Sequence, residues 1–158
     1  MQLFVVPVAA NSDISRKLGK SSMISLSVSL SADPSNGRVL RAMVRDAWSG
    51  APAPSSDLDD VLLITSELFA NATEATHPRS EPIEISVEGT EFATRISVTN
   101  TGPSFDIPNT FAAPPSQHGG RGLLISRNIG KLVINHDGQR SEVTVDIERG
   151  DQRRHIST

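Results

Sequence analysis

The 158-residue sequence predicts an α+β fold, a two-layer sandwich with three helices on one face of a mixed, mostly antiparallel sheet. Three observations carry this expectation. Apolar residues recur with period two in about five short segments, and with helical period in three longer ones. Each of these segments has a single apolar face, so the helical layer and the sheet must cover one another. Short turns join two pairs of strands into hairpins, which makes antiparallel pairing the natural arrangement.

The first strand runs from Ile24 to Leu30, where Ile24, Leu26, Val28 and Leu30 alternate with Ser25, Ser27 and Ser29. Asp33 offers an N-cap with Pro34 at the first helical position. Val39, Leu40, Met43, Val44 and Ala47 then recur at helical spacing until Gly50 and Pro52. After an Ala-Pro-Ala-Pro linker, Ser56 and Asp59 have the spacing of a capping box, and Asp57, Asp59 and Asp60 suit the positive end of a second helix running to about His77. Ile83, Ile85 and Val87, then Phe92, Thr94, Ile96 and Val98, form a hairpin about Gly89 and Thr90. A third helix opens at Gly119 to Gly122 and carries Leu123, Leu124, Ile125 and Ile129. Leu132 to Ile134 and Val143 to Ile147 close the fold as a hairpin around Asp137 and Gly138. Residues 1–22 read as a loose arm or, through Leu3 to Val8, an edge strand. Residues 23–148 read as one domain and 149–158 as a flexible tail.

Composition narrows the function. The net charge of -3 and the lack of basic residues interleaved with aromatics give no support to a nucleic-acid groove. No apolar run approaches the length of a membrane span. The absence of Cys removes disulfides, thiolate metal sites and cysteine nucleophiles, and fits a reducing compartment, so a cytoplasmic location is expected.

Three segments could carry chemistry. On the second helix Leu58, Val61, Leu62, Thr65, Leu68, Phe69 and Ala72 form the main apolar stripe, while Glu67, Asn71 and Glu74 lie one turn apart on the other side, flanked by Leu63, Ile64 and Ala70. Taken alone this is a solvated face, but a polar row bordered by apolar residues also suits a pocket wall. Such a carboxylate and carboxamide could act as proton acceptor and as oxygen ligand for magnesium. The second segment is His118-Gly119-Gly120-Arg121-Gly122-Leu123, where a glycine cluster at a helix start aims backbone N–H groups at an anion such as phosphate. A turn needing positive φ would look the same. The third is Val98 to Phe105, a strand ending in a small-residue turn. It leads into Thr101 to His118, whose Pro content and length read as a mobile lid.

Ser66-Glu67-Leu68-Phe69-Ala70-Asn71-Ala72, Val98 to Phe105 and Gly119 to Leu123 resemble, in that order, the N box and the two glycine boxes of the Bergerat-fold (GHKL) ATPases. Within that group the chain looks most like the anti-sigma-factor serine kinases and their regulatory relatives. The resemblance implies ATP and magnesium as cofactors, Asn71 as magnesium ligand and Glu67 as the base that activates a serine hydroxyl. It implies phosphate contacts from Gly119, Gly120, Arg121, Gly122 and Leu123, and an adenine pocket at Asn100 and Gly102. The implied partners are an antagonist protein phosphorylated on serine and a sigma factor, and a homodimer is compatible with it. The first glycine box departs from the family pattern, with Asn100 in place of Asp and Ser104 in place of the second glycine. Ala75 stands where many relatives have His, leaving His77 as a helix-terminal residue. A protein-binding module that keeps the fold without useful catalysis is the alternative. A histidine-kinase catalytic module fits less well, because no preceding helix presents a phosphoacceptor histidine.

Overall fold

The computed structural model describes residues 24–50, 58–103 and 128–148. In chain order these form β1 (Ile24–Ser31), α1 (Asn36–Ser49), α2 (Leu58–Ala75), β2 (Pro82–Gly89), β3 (Ala93–Thr101), β4 (Lys131–His136) and β5 (Arg140–Glu148). The strands make one sheet in the order β1-β2-β3-β5-β4, and every pairing is antiparallel. The sheet is therefore not mixed among the described residues. Two helices are described in full. Of the expected third, residues 119–127 lie outside the described residues, and Asn128 and Ile129 are helical. The expected arm, capping box, lid and tail also lie outside them, the lid from Ser104 onward.

The alternation of the strands sorts side chains into rows that cross the sheet, because residues facing the same way repeat every second position. On the inner face the second row is Leu26, Val87, Ile96, Val145 and Leu132, and the third is Val28, Ile85, Val98, Val143 and Ile134. Against these rows α1 places Leu40, Val44 and Trp48, and α2 places Val61, Leu62, Ile64, Leu68, Phe69 and Ala72, all buried. Fully burying one such aliphatic or aromatic side chain contributes about 1.5–3 kcal/mol, so this two-layer contact is the main source of stability. The outer face is polar, as a one-sided antiparallel sheet allows. There Arg95 grips Asp146 through two hydrogen bonds, Nε to Oδ1 at 2.7 Å and Nη2 to Oδ2 at 3.0 Å, and this pairing raises the Arg95 pKa.

Several local expectations shift by a turn or less. Asp33 does cap, but it caps a tight turn ahead of α1. Its Oδ1 accepts from the Ser35 backbone N–H and hydroxyl at 2.8 Å each, and Asn36 N–H bonds back to the Asp33 carbonyl at 3.0 Å. The pre-organised Pro34 starts that turn, and the α-helix proper begins at Asn36. At the other end of the helical layer, α2 stops at Ala75 rather than His77 because the His77 N–H leaves the helix to donate to the Thr101 carbonyl at 2.9 Å. Gly89 is the last residue of β2, and the hairpin turns over Thr90, Glu91 and Phe92. The Thr90 hydroxyl accepts there from the Phe92 and Ala93 N–H groups. Phe92 thus precedes β3 and is 61% exposed instead of joining Thr94, Ile96 and Val98 inside. The Asp137-Gly138 turn forms as expected, with the Asp137 Oδ1 accepting from Gln139 and Arg140 N–H and Gly138 at φ +100°.

Candidate nucleotide site

The candidate site is built where the C-terminal half of α2 meets the C-terminal end of β3. Of the three polar residues expected on α2, the fold shelters two. Glu67 and Asn71 are half-buried, whereas Glu74 is exposed. Of their apolar flanks, Leu63 and Ala70 are exposed, but Ile64 is fully buried in the core and is not part of a pocket rim. The helix turns 100° per residue, so Ile64 falls on the stripe shared by Leu68 and Val61. The Asn71 Nδ2 is buried without a hydrogen-bond partner among the described residues. An unmatched buried amide of this kind costs about 1–3 kcal/mol unless something else satisfies it.

Next to Glu67, Ser66 accepts a hydrogen bond from Arg41 Nη1 of α1 at 3.1 Å and donates to the Leu62 carbonyl at 2.6 Å. The sequence carried no signal for Arg41, because one arginine on an amphipathic helix is indistinguishable from a solvated one. Only the packing of α1 on α2 brings its positive charge beside the segment holding Glu67.

The β3 end is stitched on both sides. Thr101 takes the His77 N–H, and the Gly102 N–H donates to the Gln139 carbonyl of the β4–β5 turn at 2.8 Å. Gly102 has φ +150°, and a Cβ there would lie 2.2 Å from the Ala75 carbonyl oxygen. Glycine is required at this position twice over, by the backbone angle and by the closeness of the helix end. Asn100, two residues before Gly102, is only 2% exposed, and its Nδ2 donates to the Thr101 carbonyl at a long 3.4 Å. Beside it on β5 lies Ser141, fully buried, which shares a 2.8 Å hydrogen bond with His136 Nδ1 of β4. Ser141 and His136 were not anticipated, since their placement beside Asn100 depends on register between distant strands. Gly119, Gly120, Arg121, Gly122, Leu123 and Ser104 lie outside the described residues.

The residues present fit a magnesium-nucleotide. No hydrogen bond among the described residues holds the Asn71 amide, so it can turn to offer its oxygen, a hard donor of the type magnesium takes from protein. Among the described residues no group of three or more His, Cys, Asp or Glu could hold a metal. A cation at Asn71 would thus take further ligands from water and phosphate, as magnesium commonly does. A surface cleft of about 390 Å³ lined by Glu84, Thr99, Asn135, His136, Asp137, Arg140 and Glu142 lies chiefly on the outer face of the sheet, away from Asn71, with Arg140 paired to Glu84 at 2.8 Å across it.

The described residues thus form a helical layer on one face of an antiparallel sheet, an α+β domain with a polar site between a helix and the end of the central strand. The chain belongs to the histidine kinase-like ATPase domain family, whose model matches residues 30–147, about three-quarters of its length. This is a family of ATP-binding kinase and ATPase domains. Among solved structures, the chain is similar to a histidine kinase domain from the blue-light activated histidine kinase of Erythrobacter litoralis. That match has 14% identity and a TM-score of 0.44, and covers 87% of this chain and 69% of the other. Among curated proteins none matches the chain. Within the described residues no helix is long and apolar enough to cross a membrane.

Proposed function

We propose that the chain is a regulatory ATP-dependent protein kinase of the anti-sigma-factor type, transferring the γ-phosphoryl group of ATP to a serine of an antagonist protein and binding a sigma factor as the alternative partner. The observation that carries the reading is the Asn71 Nδ2, buried and without a hydrogen-bond partner among the described residues, one turn beyond the half-buried Glu67. Asn71 is read as the magnesium ligand, with Asn100 and Gly102 at the base and the glycine cluster Gly119, Gly120, Arg121, Gly122 and Leu123 at the phosphates. Magnesium, when bound, supplies charge neutralisation on the phosphate oxygens. Glu67 takes the proton from the serine hydroxyl as that oxygen bonds to the γ-phosphorus and ADP departs. Arg41, held on Ser66, adds positive charge beside this segment. A cytoplasmic location and a soluble protein partner accord with this role.

A second reading, a protein-binding module without catalysis, is favoured by the neutral Asn100. Calorimetric titration with magnesium-ATP separates the two, since absence of binding at millimolar nucleotide leaves only the module. If binding is found, Glu67→Gln should lower phosphoryl transfer to the partner serine by about 10²- to 10⁴-fold with little change in ATP affinity. Equal transfer rates would remove Glu67 from the role of base.

A further inference from the structure

Resting on the nucleotide-binding reading above, we propose that the base pocket at Asn100 does not distinguish a 6-amino from a 6-oxo purine, so that the chain takes purine nucleoside triphosphates as a class. The inner face of the sheet is apolar through its second and third rows, and at the end next to Gly102 it turns polar at Asn100, Ser141 and His136 on three neighbouring strands. Within the described residues this is where a row of side chains can meet the hydrogen-bonding edge of a base from the helical side, the phosphate end being drawn toward Asn71.

Every side chain of that row can both donate and accept. A carboxamide presents one oxygen acceptor and one NH2 donor, a hydroxyl rotates between the two roles, and a neutral imidazole nitrogen takes either according to its tautomer. Adenine offers a donor at its 6-amino group and an acceptor at N1; a 6-oxo purine offers the reverse, an acceptor at O6 and a donor at N1. Asn100 can pair with both atoms of either edge by turning its amide through 180°. Among the described residues little holds the amide in one sense, for its Nδ2 has there only the long 3.4 Å contact to the Thr101 carbonyl, an oxygen already engaged by the His77 N–H at 2.9 Å. Ser141 can follow the change, because its bond to His136 Nδ1 can run in either direction. Strong discrimination arises when a buried group of fixed polarity is left unpaired by the wrong ligand, which can reach about 10⁴- to 10⁵-fold. A row of groups that reverse polarity lacks that penalty. A carboxylate at position 100 would restore it, since it only accepts.

The test is a calorimetric titration of the full chain with magnesium-ATP and magnesium-ITP, which differ at the 6-position and N1 alone. Dissociation constants within about tenfold of each other are expected. ATP bound more than about tenfold tighter than ITP would overturn the proposal while leaving the nucleotide-binding reading in place, and binding of neither at millimolar concentration would overturn both. Asn100→Asp, checked for an intact melting transition, should widen the ATP-to-ITP ratio by at least about tenfold; an unchanged ratio in a folded variant would remove Asn100 from the base site. If that variant does not fold, the comparison on the unaltered chain still decides.

Discussion

The third and fourth rows of the inner sheet face are neighbours with opposite chemistry. The third, Val28, Ile85, Val98, Val143 and Ile134, is apolar across all five strands. The fourth starts the same way with Leu30 and Ile83 on β1 and β2, then continues as Asn100, Ser141 and His136 on β3, β5 and β4. The backbone alternation that buries the third row also turns the fourth inward, so Asn100 and Ser141 are withdrawn from water by geometry and not by their own preference, while His136 on the edge strand stays exposed. Burying polar groups costs free energy unless they are matched. The fold tolerates this cost on the half of the row that lies beside Gly102 and the end of α2. That is where a ligand reading has physical support, and the all-apolar rows hold the frame that keeps it in place.

The largest effect is expected from breaking the frame. Ile96→Ala, at a fully buried position of the second row, should cost about 2–5 kcal/mol in urea unfolding. Ser141→Ala, equally buried but in the polar row, should cost no more than about 1.5 kcal/mol, the net contribution of one hydrogen bond. Comparable losses for the two would erase the distinction between the rows.

Gly102→Ala comes next. Its Cβ would meet the Ala75 carbonyl at 2.2 Å with φ already at +150°, so about 1–3 kcal/mol from overpacking is joined by about 1–3 kcal/mol of backbone strain. Gly37→Ala, where nothing lies within 4 Å, should not destabilise α1, because Ala is the better helix former. A melting comparison that ranks these two variants the other way would show that the α2–β3 junction is not tightly closed.

Asn71→Ala sharpens the contrast between holding the fold and holding a ligand. The Asn71 Nδ2 has no partner to lose among the described residues, so thermal stability should be unchanged or slightly raised. Magnesium-dependent ATP affinity, read by calorimetry, should fall by about tenfold or more, equivalent to about 1.4 kcal/mol. Unchanged affinity in the folded variant would remove Asn71 as the metal ligand.

The smallest expected effect concerns acid. The backbone N–H groups of Arg140 and Gln139 hold the Asp137 carboxyl below its ordinary value. A carboxyl lowered in the folded state contributes stability above its unfolded pKa of about 3.9 and loses it as pH falls through the folded value. Asp137→Asn should therefore flatten the stability profile below about pH 4 and lower stability slightly near neutrality, where the ionised carboxylate contributes. A profile unchanged on substitution would mean that the β4–β5 turn does not titrate with folding.

Much of the frame is readable from local pattern. The alternation at Ile24 to Leu30, the Asp137-Gly138 turn and the one-turn spacing of Glu67 and Asn71 are all visible in the chain. Phe92 misled because parity places it with Ile96 and Val98, yet the Thr90 hydroxyl captures the turn and ends the strand pattern at Ala93. Ile64 misled because a helical wheel does not say how wide the buried stripe will be. That width is set by how deeply α2 sits between the sheet and α1.

Periodicity determined by itself which elements form and which face of each is apolar, because residue chemistry acts there through a fixed backbone repeat of two or about 3.6 residues. It also determined that Glu67 and Asn71 share a helix face. Tertiary structure alone decided that Glu74 stays in water while those two are sheltered, that Arg41 reaches Ser66, that Gly102 lies against the Ala75 carbonyl, and that Asn100, Ser141 and His136 form one row. Each of these depends on the register or packing of segments far apart in the chain, and a local repeat carries no information about which distant segment will arrive opposite it.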